Sequence, residues 1–458
     1  MKKSRFILFV LPLAATPLAH AQGPLIPPGA PGATMRSLDQ IEPRVPLVSG
    51  SPGVAVTANG NITINQAGSY VLTGNLSPTA GNGITISAGN VSVDLRGFAV
   101  DSNNAGGTAI FSGQNNVSIT NGTINRWTSR GLDLSGTGVR VSNITISNTG
   151  ERAMSIAGRG AVIESCTVHT CASGIEADNS APDNAVVTRC SVYGINSSTL
   201  LSVSGITAGT VTDCNVRQVN NSNASATQIR GIDAVLVTNC QVADVQGAAG
   251  FLIGIAASTV ESSGYTGTPS PTASAASQYG ISAQVVNRCS VRSMIANTSS
   301  TIVSGIFATN VTGCTVERVN NTGSGTLASG IAASSMSNAA GNSFSDTALV
   351  KDCNISGITA ANSTGGYGIR ISGNGLVTDN RVGYCTQTGI TLTNGILRGN
   401  TTTQVTGTGM NLSNGFATGN VSIGDTTAFV FGASVRSGPT LTTGGVGSSF
   451  DPNSNLDL

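Results

Sequence analysis

Charge is scarce in this chain, at 9% of 458 residues with a formal net charge of +1. It gathers on residue types that do chemistry: Arg126, Trp127, Arg130, Asp133, Arg152, His169, Glu176 and Asp178 stand within one stretch. A guanidinium pairs with a uronate carboxylate through two parallel hydrogen bonds. Stacked carboxylates can hold Ca²⁺ through oxygen ligands, and removing the proton beside a uronate carboxylate is a lyase reaction. Arg130, Asp133, Arg152 and Glu176 therefore form the candidate catalytic set. Arg126, Trp127, His169 and Asp178 are the candidate substrate contacts, with Trp127 as a sugar platform. The competing reading makes these residues exposed Arg–carboxylate pairs that brace neighbouring elements and keep the surface soluble. On that reading His169 is a turn residue satisfied by backbone.

The elements that must position these side chains are repeats. One phrase recurs from Cys166 to Cys353: a β-branched residue, two more, a cysteine, one more, then Val or Ile. Val-Thr-Arg-Cys190-Ser-Val, Val-Thr-Asp-Cys214-Asn-Val and Val-Thr-Gly-Cys314-Thr-Val are examples. Neighbouring copies often lie roughly 24–26 residues apart, the scale of a unit that cannot bury its own apolar face and must stack. A second phrase alternates with it, as in Gly131-Leu-Asp-Leu, Gly205-Ile-Thr-Ala and Gly305-Ile-Phe-Ala. Its apolar residues are two apart, so they share one face of a strand and the residue between them points out. Glycine before the strand is expected to permit a sharp corner. A further inward position follows three residues after the closing Val, as at Ile195, Val219 and Val319. The pattern predicts an all-β, single-stranded right-handed parallel β-helix of roughly 14 coils. In that frame Asp133, Ser155 and Glu176 point out from one strand column, with Arg130 and Arg152 at the corner before it.

Successive in-register cysteines would stack about 4.8 Å apart, wider than the roughly 3.8 Å between Cβ atoms that a disulfide prefers. The column is read as buried thiols acting as small apolar fillers; one or two disulfides between adjacent coils is the alternative. A straight column does not converge as a tetrahedral metal site must, so no metal is assigned to it. Asn380, Asn400 and Asn420 replace Cys in the last coils and offer an amide ladder.

Ile62-Thr-Ile-Asn-Gln-Ala-Gly-Ser-Tyr-Val-Leu-Thr-Gly-Asn-Leu, then Gly83-Ile-Thr-Ile, then Val91-Ser-Val-Asp-Leu-Arg-Gly-Phe resemble the first coils of the secreted bacterial right-handed parallel β-helix proteins of the pectin-lyase-like superfamily. The likeness covers roughly residues 60–425. It implies that fold, and a role in binding or cleaving extracellular polysaccharide; as an enzyme the chain would be a polysaccharide lyase acting on acidic glycans, with Ca²⁺ a possible cofactor. The polygalacturonase-like hydrolases of this fold use an adjacent Asp-Asp pair and a Gly-His-Gly turn, and neither occurs here. The alternative is a non-catalytic structural or adhesive surface protein, since one solenoid hosts many roles.

The ends set the compartment. Lys2, Lys3 and Arg5, the apolar run 6–18 and Ala19-His20-Ala21 read as a signal peptide over residues 1–21. The chain is expected to be secreted or periplasmic, without a transmembrane anchor and monomeric. The near-neutral charge argues against a nucleic-acid partner, which needs a basic face. Residues 22–58 are Pro- and Gly-rich, 59–426 form the β-helix, and 427–458 are a Gly- and Ser-rich tail or cap. One of the two flanking segments must cover an open end of the solenoid.

Overall fold

A computed structural model describes residues 44–177, 185–247, 249–267, 276–296, 302–323, 327–333, 347–361, 365–438, 440–442 and 455–457. They form an all-β parallel β-solenoid of about 15 turns, with no helix among the described residues. Three sheets run along it. The first starts at Ile62–Ile64, the second at Gly68–Val71 and the third at Ala99–Asp101. Each coil lays one strand on each sheet, in parallel register with the coil before. Thus Ile206, Ile232, Ile255, Ile281, Ile306 and Ile331 occupy one inward column of the first sheet.

Two bends per coil come from single residues in the left-handed region. The first stands immediately before the cysteine: Arg189, Asp213, Asn239, Arg288 and Asp352 have φ between 51° and 54°. The second precedes the inward residue that follows the third-sheet strand, as at Thr170, Gln218, Asp244, Ser293 and Arg318. Asn and Asp tolerate this conformation best, but arginine adopts it here too, held by the ladders on both sides.

The corner glycines act differently from expectation. None of Gly205, Gly231, Gly254, Gly280, Gly305 and Gly330 lies in the left-handed region. They are glycine because there is no room for a side chain. A Cβ at Gly305 would meet Val316 Cγ1 at 2.6 Å and the Gly330 carbonyl oxygen at 2.7 Å. The corner is where the first sheet closes onto the third across the core.

All nine cysteines are buried and unpaired. Cys166, Cys190, Cys214, Cys240, Cys289, Cys314 and Cys353 stack in one column, with each Sγ beside a backbone carbonyl of its own bend, such as Cys190 Sγ to Thr188 O at 3.3 Å. Successive rungs join: the Cys190 N–H donates to Cys214 Sγ at 3.4 Å, and the Cys289 N–H to Cys314 Sγ at 3.4 Å. The Cys190, Cys240 and Cys314 thiols are pushed up in pKa, first by the hydrogen bond to a neighbouring thiol and then by burial. Burial pushes Cys385, in the other inward column, up to about 12. Between Cys240 and Cys289 the structure reveals a coil without cysteine. Ser263 takes the slot and accepts the Cys240 N–H at 3.1 Å, while Tyr265 fills the Val position. This rung falls in a segment whose Tyr and prolines mark it as irregular in the sequence. The amide ladder forms as expected: Asn380, Asn400 and Asn420 each donate Nδ2 to the next Oδ1 at 3.0–3.1 Å, and Asn455 is the last acceptor.

At the N-terminal end Val54–Val56 pairs antiparallel with Ile62–Ile64, and Val45–Pro46 lies parallel on the second sheet. Arg44 forms an ion pair with Asp94. Residues 44–56 thus cover that end. At the C-terminal end the parallel strands run past residue 426, through Thr427–Ser437, and Asn455–Asp457 inserts between Val421–Ile423 and Thr440–Thr442 on the third sheet. Residues 1–43, which include the stretch expected to be a signal peptide, lie outside the described residues.

Gly305→Ala is expected to destabilise the protein by roughly 1–3 kcal/mol, the cost of overpacking a filled core. Gly373→Ala, where a Cβ meets nothing within 4 Å, is expected to be neutral. Melting followed by circular dichroism separates the two.

Candidate functional site

The strand Leu132–Leu134 sits in register with Met154–Ile156, and that with Ile175–Ala177. Asp133, Ser155 and Glu176 therefore form one outward row of the first sheet, as the two-residue alternation requires. Two residues before each strand lies a corner row, where Arg152 pairs with Ser173 and, further along, Ser204 with Arg230.

Each arginine of this face is already engaged. Arg130 Nη1 donates to Asp133 Oδ2 at 2.7 Å and its Nε reaches Glu151 Oε2 at 3.3 Å. Arg152 pairs with Glu176 on the next coil. Arg230 and Asp233 repeat the arrangement two coils beyond Glu176, more deeply buried, and Arg230 Nε is left without a partner. The carboxylates at Glu151 and Glu176 are about half exposed, at 45% and 46%. The candidate catalytic residues are thus brought onto one face, but as Arg–carboxylate pairs.

Asp133 and Glu176 are separated by the Ser155 rung, so about 9.5 Å parts their backbones, and each is held by a different arginine. Among the described residues no three His, Cys, Asp or Glu side chains converge as a metal site needs, so the stacking of carboxylates that Ca²⁺ would require is broken by Ser155.

The candidate substrate contacts do not gather around this face. Trp127 is buried, 1% exposed, and its Nε1 donates to the Val100 carbonyl oxygen at 3.1 Å. Its ring lies where a Cβ at Gly83 would be only 2.9 Å away. It is a core residue and offers no face to a sugar. Arg126 is the left-handed residue before it and clasps Asp101, Nε to Oδ1 at 3.0 Å and Nη2 to Oδ2 at 2.6 Å. His169 stands outward on the third sheet, in register with Tyr193 and then Arg217. Its ring stacks on Tyr193 at 5.2 Å, and the Arg217 guanidinium lies 4.9 Å from the centre of the Tyr193 ring. Asp178 lies outside the described residues.

Three features escaped the sequence reading. Glu151 as second partner of Arg130 requires knowing which coils touch. The Arg126–Asp101 clasp joins residues 25 apart, one coil. The His169–Tyr193–Arg217 stack had a signal: each follows the inward valine of its third-sheet strand.

The connections from the third sheet to the next first-sheet strand return at one register. Ser202, Gln228, Phe251, Ser277, Ile302 and Leu327 fall in register where six successive coils re-enter the first sheet. Next to these points the outward side chains turn apolar, and Tyr279 packs on Phe307 with ring centres 5.3 Å apart. One face of the solenoid thus carries a charged stretch at coils 130–233 and an apolar stretch beyond it.

No protein-family model matches the chain, and no curated protein does. Among solved structures the chain is similar to the A-module of the mannuronan C-5 epimerase AlgE6 of Azotobacter vinelandii. The identity is 10%, the match covers 85% of this chain and 89% of that one, and the TM-score is 0.23. The class of this protein, a parallel β-solenoid, rests on its own strand register.

Asp101 gives a pH dependence with a definite sign. Burial is the largest single influence and would raise its pKa, but the Arg126 guanidinium, the Asn103 N–H and Asn125 together hold it below the usual carboxylate range. A lowered folded-state pKa contributes stability above the ordinary carboxylate pKa that is lost as pH falls through the folded value. Asp101→Asn is therefore expected to melt below the wild type at neutral pH. The gap should begin to narrow as pH falls below about 4, the ordinary aspartate pKa, and close beneath the lowered folded-state value. Melting curves across this pH range check this.

Proposed function

We propose that this chain is an exported solenoid that binds an extended acidic polysaccharide along its first-sheet face, without turning it over. The observation that supports it is the outward row of arginine–carboxylate pairs at Arg130, Arg152 and Arg230, aligned along the solenoid axis. An extended polymer of uronates presents carboxylates in a line. Each could replace Glu151 or Glu176 on its arginine, because those carboxylates are half exposed and exchange one charged hydrogen-bond partner for another. The basic export signal and the Pro-rich segment after it agree with a ligand outside the cytoplasm. The carboxylates are occupied by arginines and have no histidine beside them, which favours binding over a lyase reaction.

The adhesive reading has its own observation. The connections between the third sheet and the next coil return at one register over six coils, and so could present a surface independent of the arginine row.

Two substitutions give opposite signs if the arginines bind glycan. Arg152→Ala is expected to weaken binding to polyuronate about tenfold, the loss of one charge-assisted contact. Glu176→Gln releases the guanidinium and is expected to tighten it. Titration calorimetry on alginate and pectate reads both, and absorbance of unsaturated uronides stays flat. Equal affinities for the two variants and the wild type, or no binding to any acidic glycan, would refute the reading.

A further inference from the structure

The first-sheet face changes character before Arg130 as well as after Asp233. Its outward row begins with Thr63, Thr85 and Phe111 and then reaches Asp133, each in register with the next. The alternation along Ile110–Ser112 buries the residues on either side of Phe111 and turns its ring outward. Phe111 is 40% exposed, and among the described residues it is the one aromatic side chain of the first sheet that reaches so far into solvent. A singly exposed apolar side chain is ordinary on a protein surface. This one has a particular place: one strand spacing, about 4.8 Å, from Asp133, and so at the end of the arginine row. On its other side the row continues with the short, half-buried Thr85 and Thr63.

The charges around Phe111 decide what it can hold. Among the described residues the first-sheet strands before Arg130 are Ile62–Ile64, Ile84–Ile86 and Ile110–Ser112, and the corners before them carry Asn61, Asn82 and Thr108. None of these is charged. The Arg130 guanidinium is already spent on Asp133 of its own coil and Glu151 of the next. The nearest charge along the row is therefore the Asp133 carboxylate. A uronate seated on the ring would meet an anion and no free cation, and like charges one rung apart repel. A neutral pyranose carries no such penalty. Its apolar C–H face covers the ring, and its hydroxyls come beside the Thr85 hydroxyl, which both donates and accepts.

Resting on the reading of this face as a binder of acidic glycan, we propose that Phe111 is the stacking platform for a neutral sugar. The ligand is then a mixed polymer in which uncharged residues alternate with uronates. Uronates pair with Arg130 and Arg152, and the neutral unit next in line lies on Phe111.

Titration calorimetry on the whole chain tests this with hyaluronan and rhamnogalacturonan, which alternate a uronate with a neutral sugar, and with pectate, which is uronate alone. The wild type is expected to bind at least one mixed polymer roughly tenfold more tightly than pectate, the worth of one aromatic contact. Phe111→Ala is expected to remove that advantage and to leave pectate binding within about twofold of the wild type. Phe111→Leu keeps an apolar side chain on the strand without the ring and should do the same, whereas Phe111→Tyr should keep the preference. Circular dichroism spectra should match the wild type for all three. Arg152→Ala should weaken both kinds of polymer. Pectate binding that responds to Arg152→Ala, with mixed polymers bound no more tightly or unaffected by loss of the ring, overturns the Phe111 assignment alone. An equal loss on pectate and mixed polymers in Phe111→Leu overturns the neutral sugar. Absence of binding to every acidic glycan overturns this inference and the reading beneath it.

Discussion

The structure depends on one constraint: whatever a coil places inside must tolerate a near-copy of itself one strand spacing above and below. Parallel in-register pairing imposes this on every inward position at once. Valine and isoleucine meet it by interlocking branched side chains. Cysteine meets it with a small polarizable sulfur that leans on the carbonyls of its own bend. Asparagine meets it by joining amide to amide, which is why Asn380, Asn400 and Asn420 can inherit the cysteine column without disturbing the coil. Ser263 shows the column also accepts a hydroxyl, provided it too takes the N–H of the coil before it. Burial opposes a charge at every rung, while the thiol–thiol hydrogen bonds act in opposite directions on neighbours, raising Cys190 and Cys314 and lowering Cys166, Cys214, Cys289 and Cys353.

The same constraint governs the outside, but more loosely. Outward side chains one coil apart are close enough to pair and need not match. Charges placed there find partners across coils: Arg152 with Glu176, Arg189 with Glu164, Arg126 with Asp101. A face built this way braces the solenoid, and on the proposed reading the same pairs exchange their internal carboxylates for those of a ligand.

Much of this was legible in the sequence because the periods are local. The alternation of Gly-apolar-x-apolar put Asp133, Ser155 and Glu176 on one outward row, and the register agrees. Other features needed the third dimension. The corner glycines looked like conformational devices, yet they serve close approach, and only the position of Val316 against Gly305 reveals it. Trp127 is instructive because its place could have been read. It lies three residues after Ile124, the inward slot occupied elsewhere by Val219 or Val319, so the coil rule alone puts it in the core. Its residue type suggested sugar stacking; its position in the period excluded it. The rung at Ser263 was hidden because serine and tyrosine replaced both markers of the repeat. The ion-pair partners were hidden because insertions make the distance between coils irregular along the chain.

The central claim is the register itself, and distance measurements between spin labels address it most directly. Labels on cysteines introduced at Thr85, Thr207 and Thr391 would occupy one outward row, the native thiols being buried. Five strand pairings link Thr85 to Thr207 and seven more reach Thr391. At about 4.8 Å per pairing the account predicts separations of about 24 Å and about 58 Å from Thr85. Separations that fail to grow in proportion to the number of coils would contradict it.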